Sequence, residues 1–316
     1  MKIGIDLGGT NIAVGLVDND NKIIAKKSTP TLSHRPIGEI IDDMANVCEL
    51  LVRENGMSMD DVESVGIGCP GTIDHANGTV VYSNNIRMEN VRLCEQLHKR
   101  LGKPVGIEND ANAAALGEYA VNGEGEDSFV FITLGTGVGG GVIINGKLYR
   151  GFNGAGGELG HIIINTEGEE QCTCGNKGCW EAYASVTALI RQTKAAMQKH
   201  SDSMMNEWAR SNNEVSGRTA FECAKKGDKA AQEVVDTYIR YVGAGLISVL
   251  NIFQPKLILI GGGISKEGEY LLKPLREYVY AGDYNKYMPK TEIKAASLFN
   301  DAGIIGAALG AGEQNN

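Results

Sequence analysis

Four side chains in the middle of this chain, His161, Cys172, Cys174 and Cys179, have the spacing of a metal site. They lie in GGELGHIIIN and QCTCGNKGCWEAY, with Glu158 and Glu181 on either side. Gly175 and Gly178 interrupt the cysteines, so the thiolates form a tight knuckle that can converge on one ion, with His161 as fourth ligand. Zinc favours a tetrahedral sulfur and nitrogen set, and four protein ligands leave no position open for chemistry. The expected metal is therefore structural. A disulfide and unrelated buried thiols are the competing readings.

Glycine-rich turns are the second chemical signal. Asp6-Leu7-Gly8-Gly9-Thr10 joins two apolar strands, and Leu134-Gly135-Thr136-Gly137-Val138-Gly139-Gly140 repeats the pattern. Glycines let the backbone approach a phosphate, and successive N–H groups make an anion-binding concavity. Asp6 cannot meet phosphate directly, whereas Mg²⁺ bridges carboxylate to phosphate through oxygen ligands. A third cluster, Gly261-Gly262-Gly263, stands between a strand and a helix. Each cluster alone reads equally as a tight β-turn; together they point to a nucleotide. Gly135 to Gly140 formally satisfies G-x-G-x-x-G, yet the following GVIING is a strand, so the dinucleotide fingerprint fails. No phosphate loop of the G-x-x-x-x-G-K-[ST] type occurs.

The carboxylates supply the third signal. Asp110 follows a short strand in IEND and reads either as a first-turn helix acid or as a general base. In phosphoryl transfer to an alcohol the base need not be strong, because positioning does most of the work. Glu158 and Glu181 read as solvated surface acids or as acceptors for the paired hydroxyls of a polyol. A metal-bound His161 keeps a second ring nitrogen for a neighbour. His34, His75, His98 and His200 have no such company and are expected on the surface.

Positioning these groups falls to alternating strands and helices. Residues 3–24 and 129–149 repeat each other as strand, Gly/Thr turn, strand, polar turn and strand, which suggests a duplicated domain. Between and after them the periodicity predicts helices over 37–55, 90–101, 181–199, 218–226, 228–253 and from about 268, with strands over 62–69, 105–108 and KLILIGG. The polar stretch 200–217 gives no clear pattern. Alternation of this kind indicates α/β architecture. The domain boundary is placed near residue 120, giving domains 1–120 and 121–300, with the last helix, 301–316, folding back on the first.

Composition narrows the class. The chain has 316 residues, 42% hydrophobic and 22% charged, with a net charge of −9. An acidic chain is a poor partner for a nucleic-acid backbone. No apolar run reaches the length of a membrane span and no signal peptide opens the sequence, so a cytoplasmic, reducing setting is expected. Cys48, Cys69, Cys94 and Cys223 read as buried small hydrophobes.

Taken together the motifs resemble the ROK family of repressors, open reading frames and sugar kinases, and within it the bacterial glucokinases. The residues that carry the resemblance are DLGGT at 6–10, GCPGTID at 68–74, END at 108–110, LGTGVGGG at 134–141, GGELGH at 156–161, CTCGNKGCWE at 172–181 and GGGIS at 261–265. It implies an actin-like, hexokinase-type (ribonuclease H-like) fold with an interdomain cleft, and the cofactors ATP, Mg²⁺ and structural Zn²⁺. It assigns Asp110 as the base on the sugar 6-hydroxyl, with Gly71, Asn109, Glu158, His161 and Glu181 around the other hydroxyls. Asp6, Gly8, Gly9, Thr10 and Asn11 with Gly135, Thr136, Gly137 and Gly139 would hold the phosphates, and Gly261, Gly262 and Gly263 the adenosine. Glucose is the implied substrate; N-acetylmannosamine, N-acetylglucosamine, fructose and allose are alternatives, because YSNNIRMENVRL departs from the Pro/Trp-containing version common in glucokinases. The family's sugar-sensing repressors carry a helix-turn-helix for which this sequence has no room before Asp6. A homo-oligomer, dimer or tetramer, is also implied.

Overall fold

Ile3, Ile5 and Leu7 alternate with Gly4 and Asp6, and this two-residue period builds a strand with two different faces. The structure, a computed structural model, describes residues 1–123 and 125–313. The chain opens with β1 (Lys2–Leu7), β2 (Asn11–Val17) and β3 (Ile23–Pro30), then α1 (Ile37–Glu54), β4 (Ser64–Cys69), β5 (Thr72–Asp74), β6 (Thr79–Ser83) and β7 (Met88–Val91). It continues through α2 (Leu93–Leu101), β8 (Val105–Asn109), α3 (Asp110–Glu118), β9 (Ser128–Leu134), β10 (Val138–Ile144) and β11 (Lys147–Leu148). After the cysteine knuckle come α4 (Glu181–Ala184), α5 (Val186–Lys199), α6 (Met204–Asn212), α7 (Thr219–Ala224) and α8 (Lys229–Phe253). The remaining elements are β12 (Leu257–Gly261), α9 (Glu269–Gly282), β13 (Glu292–Ala295) and α10 (Asp301–Glu313).

The sequence repeat returns as repeated topology. One five-stranded sheet has the order β3-β2-β1-β4-β8 and the other β11-β10-β9-β12-β13. In the first, β1 runs antiparallel to β2 and parallel to β4, which runs parallel to β8. The bulky face of this sheet buries Ile3, Ile5, Leu7, Val65 and Ile67 with Ile40, Ile41 and Met44 of α1 and Leu93 and Leu97 of α2. Each such side chain contributes roughly 1.5–3 kcal/mol by leaving water.

The opposite face is made of glycine. Gly15, Gly4, Gly66 and Gly106 stand in register on four neighbouring strands, β2, β1, β4 and β8. Helix α10 lies against this row. A Cβ on Gly4 would run into the Ile304 carbonyl and one on Gly66 into the Ala307 carbonyl, while one on Gly106 would come within 2.7 Å of Ala311 Cα. Small residues in DAGIIGAALGAG thus let a helix backbone touch a sheet backbone. The expected continuation of this helix to residue 316 falls outside the described residues.

Several expectations change. The helix expected over 181–199 is two helices: Ser185 is extended and its side chain caps α5 by accepting from Ala188 N at 3.1 Å. The helix expected over 90–101 begins only at Leu93, because Met88–Val91 pairs with β6 in a third sheet, β5-β6-β7. The polar stretch 200–217 contains α6, capped by Ser203 on Met205 N.

By spatial proximity the chain divides into two compact units. The first comprises Met1–Phe131, Gly141–Gly157 and the chain from Ser297 onward. The second comprises Ile132–Gly140 and Glu158–Ala296. Among the described residues, no helix is long and apolar enough to cross a membrane.

Candidate active site and metal centre

In the first unit, the turn between β1 and β2 is fastened from behind by Thr31, which is fully buried. Thr31 Oγ1 donates to the Gly8 carbonyl at 2.6 Å, and the Thr10 carbonyl accepts from Thr31 N at 2.8 Å. A trans peptide points its C=O and N–H in opposite directions. Fastening these carbonyls therefore turns the amides of Gly9 and Asn11 the other way, as an anion-binding nest requires. Thr10 and Asn11 are exposed, and Asn85 of the β6–β7 turn lies beside Gly9.

The second unit repeats the device. The Gly135 carbonyl accepts from Val186 N at 2.8 Å, and Thr187 Oγ1 donates to the Thr136 carbonyl at 2.7 Å. Both donors belong to the first turn of α5. The break at Ser185 that divides the expected helix is what brings them to this turn. The turn itself covers Gly135–Gly137, and Gly139 is already within β10. Gly262 sits at φ +83°, packed on the Leu134 carbonyl, and accepts from Ser265 Oγ at 2.8 Å; Gly261 closes β12 and Gly263 is exposed.

Asp110 begins α3. Asn109 caps that helix, its Oδ1 accepting from Ala111 N at 2.9 Å and Asn112 N at 3.2 Å. Asn109 Nδ2 donates to the Gly71 carbonyl at 3.3 Å. Gly71 holds φ +121° with its α-carbon against Tyr82 and Ser83, a place no side chain fits. Asp110 has solvent-accessible area, yet burial raises its carboxyl above the ordinary carboxylate range against the hydrogen bond from Ala111 N. Burial, followed by the charge of Asp110, also pushes Asp6 up to about 6. Asp6 therefore feels the charge of Asp110, which suits a hard divalent cation between protein and phosphate.

In the second unit His161 and the three cysteines converge, all four ligand atoms lying within 4.8 Å of one another. Cys174 Sγ is 3.6 Å from Cys179 Sγ, and Cys172 Sγ is 3.5 Å from His161 Nδ1. The edges of a tetrahedron with zinc bonds of about 2.0–2.3 Å are roughly 3.5–3.8 Å, so the set fits zinc. All seven cysteines are free, and no pair is at disulfide distance. The knuckle is anchored by Trp180, fully buried, whose Nε1 donates to the Tyr241 carbonyl at 2.9 Å and whose ring fills the space over Gly245.

Glu158 is exposed and heads a 3₁₀ turn, Leu159–His161. Glu181 is more engaged than a sugar ligand alone requires. Its Oε2 accepts from Val138 N at 3.0 Å and its Oε1 from Thr173 Oγ1 at 3.2 Å.

A model of the ROK family matches residues 2–313. The chain belongs to the ROK family. Among characterised relatives, the glucokinase of Thermotoga maritima is 40% identical over 308 residues, covering 97% of this chain and 95% of that protein. The solved structure of a ROK glucokinase from Streptomyces griseus, in complex with glucose and AMPPNP, gives a TM-score of 0.82 at 37% identity over 97% of both chains. A ROK hexokinase from Thermus thermophilus gives 0.81 at 34% identity over 100% of this chain and 99% of that one. The α/β, actin-like sugar-kinase fold expected of a ROK chain is therefore present.

Sequence reasoning missed four groups that support these candidate elements, each within its own unit. Thr31 and Thr187 carry no motif, and only their distant carbonyl partners reveal them. His75, expected on the surface, is mostly enclosed: its Nδ1 bonds the Ile107 carbonyl at 3.2 Å and its Nε2 lies 3.5 Å from Glu108 Oε1. Glu108 sits inside END, next to the motif's two assigned residues, and is buried with only 1% exposed.

Proposed function

We propose that this protein is an ATP-dependent hexose kinase that transfers the γ-phosphoryl group of ATP to the 6-hydroxyl of glucose. The observation that carries the reading is the placement in one unit of Asp110 at the capped start of α3, Asp6 in β1 and the fastened Gly8–Thr10 turn, with the Asp110 charge helping to raise Asp6. Similarity to glucokinases at full length supports glucose as the sugar.

In this reading Asp110 accepts the proton of the 6-hydroxyl as that oxygen bonds to the γ-phosphorus and the bond to ADP breaks. A raised carboxyl is a better proton acceptor than an ordinary one. Asn109 and Gly71 stand beside it to orient the ring, with Glu158, Glu181 and His161 Nε2 taking other hydroxyls. The amides of the two fastened turns and of Gly261–Gly263 take the nucleotide. Asp6 is the residue that would hold Mg²⁺, which when bound would supply charge neutralisation. Zn²⁺ on His161, Cys172, Cys174 and Cys179 supplies order to the knuckle. A reducing, cytoplasmic setting accords with seven unpaired thiols.

The test is a coupled assay with ATP–Mg and a panel of hexoses. Glucose 6-phosphate should form with the highest kcat/KM, ahead of N-acetylmannosamine, N-acetylglucosamine, fructose and allose. Replacing Asp110 by Asn should lower kcat about 100-fold or more. No sugar phosphate from any hexose, or full turnover by the Asp110→Asn protein, overturns the proposal.

A further inference from the structure

We infer that Glu108 is a positioning residue for phosphoryl transfer, fixing the strand-to-helix bend from which Asp110 projects; this rests on the reading of Asp110 as the base. Glu108 is the penultimate residue of β8, and its carboxylate is buried under the start of α3. Its Oε1 accepts from Asn109 N at 2.9 Å and from Asn112 Nδ2 at 3.2 Å. The first donor is the backbone N–H of Asn109, the residue just before Asp110, and the second is a buried side chain in the first turn of α3. One carboxylate oxygen thus grips the bend on both sides. Asn109, held at its N–H by Glu108, spends its own Oδ1 on capping Ala111 and Asn112.

A buried carboxylate is costly unless it is paired, and Glu108 is paired from the far side. Its Oε2 accepts from Arg150 Nε at 2.7 Å, and His75 Nε2 faces Oε1. Arg150 opens the glycine loop 150–157, whose two ends are tied together by Gly156 N donating to the Arg150 carbonyl at 2.8 Å. Gly154 of the same loop packs on the Ile73 carbonyl and the His75 ring. Glu108 therefore joins the start of the catalytic helix to the loop that leads in sequence to Glu158. An apolar residue would fill the same space without desolvating a charge. What the carboxylate adds is directional bonds to Asn109 and Asn112, whose value lies in the precision they give the neighbouring acid.

The experiment compares Glu108→Gln, Arg150→Met and Arg150→Lys with the parent and with Asp110→Asn, measuring kcat, hexose KM and ATP KM. Glu108→Gln and Arg150→Met should each lower kcat about 10- to 100-fold and raise the hexose KM, with the ATP KM within about twofold of the parent. Arg150→Lys should recover part of the loss, and the double variant should be no worse than its poorer parent, because both act on one network. A merely structural role would lower melting temperature and leave hexose KM and kcat per folded molecule unchanged. Parent-like kcat and hexose KM in folded Glu108→Gln overturn the inference. If that variant does not fold, Arg150→Met decides by the same criterion. Should Asp110→Asn keep its turnover, the assignment of the base fails instead, and the two failures stay distinct.

Discussion

Val138 N donates to Glu181 Oε2 at 3.0 Å, so the second glycine turn and the end of the cysteine knuckle are joined by one hydrogen bond. A Cβ on Gly137 would displace that same oxygen, so a side chain there would break this bond. The knuckle's outermost acid is thereby part of the support of the turn proposed to bind nucleotide as well as a candidate hydroxyl acceptor.

Glu181→Gln should therefore disturb both substrates. The amide keeps an acceptor for Val138 N and meets Thr173 Oγ1 with an N–H, which the hydroxyl can accept, but both bonds lose the carboxylate charge, at a cost of about 1–3 kcal/mol. ATP KM and hexose KM should each rise roughly 5- to 100-fold. Glu158→Gln should raise the hexose KM alone. Steady-state kinetics with each substrate varied in turn check this, and an unchanged ATP KM in Glu181→Gln would remove the coupling.

The glycine row makes a stability prediction. Gly66→Ala would drive a methyl into the Ala307 carbonyl of α10 and should cost about 1–3 kcal/mol or more. Gly38, within α1, meets nothing within 4 Å, and Gly38→Ala should be neutral or stabilising by up to about 1 kcal/mol. Chemical denaturation of the two proteins gives the comparison. Equal stabilities would mean that α10 does not press on the sheet as described.

Asp6 links pH to stability and activity in opposite directions. Its folded value of about 6 exceeds the ordinary 3.8, so the folded protein binds more protons than the unfolded one between those values. Stability falls as pH rises through that window, and the loss persists above it, at roughly 3 kcal/mol for full ionisation. Asp6→Asn should then raise the melting temperature at pH 7.5 and leave it nearly unchanged at pH 4. Activity needs the ionised form to face Mg²⁺, so kcat/KM for ATP–Mg should decline as pH drops below about 6. A melting-temperature difference that does not vary with pH would contradict the assignment.

Metal analysis tests the knuckle. About one zinc per chain is expected, and chelation should lower the melting temperature and release the metal. Cys174 is the exposed ligand, so Cys174→Ser perturbs packing least and should weaken zinc retention without general unfolding. Absence of zinc together with a chelator-insensitive melting curve would return these residues to ordinary thiols.

The sequence by itself determined what is encoded by local spacing. The duplicated hairpins, the Gly/Thr turns, the four ligands of the knuckle and Asp110 at a helix start all lie within short runs, where propensity and reach set the outcome. Tertiary structure decided what depends on partners far along the chain. Ser185 divides a periodic helix because Val186 and Thr187 bond the carbonyls of Gly135 and Thr136, some fifty residues earlier. The strands of 72–91 are too short to announce themselves, and they form because each satisfies its neighbour's backbone. His75 and Glu108 look like ordinary polar residues until folding encloses them with Arg150. A side chain's type is written in the sequence, but which buried donor meets which buried acceptor is fixed only when distant segments close on one another.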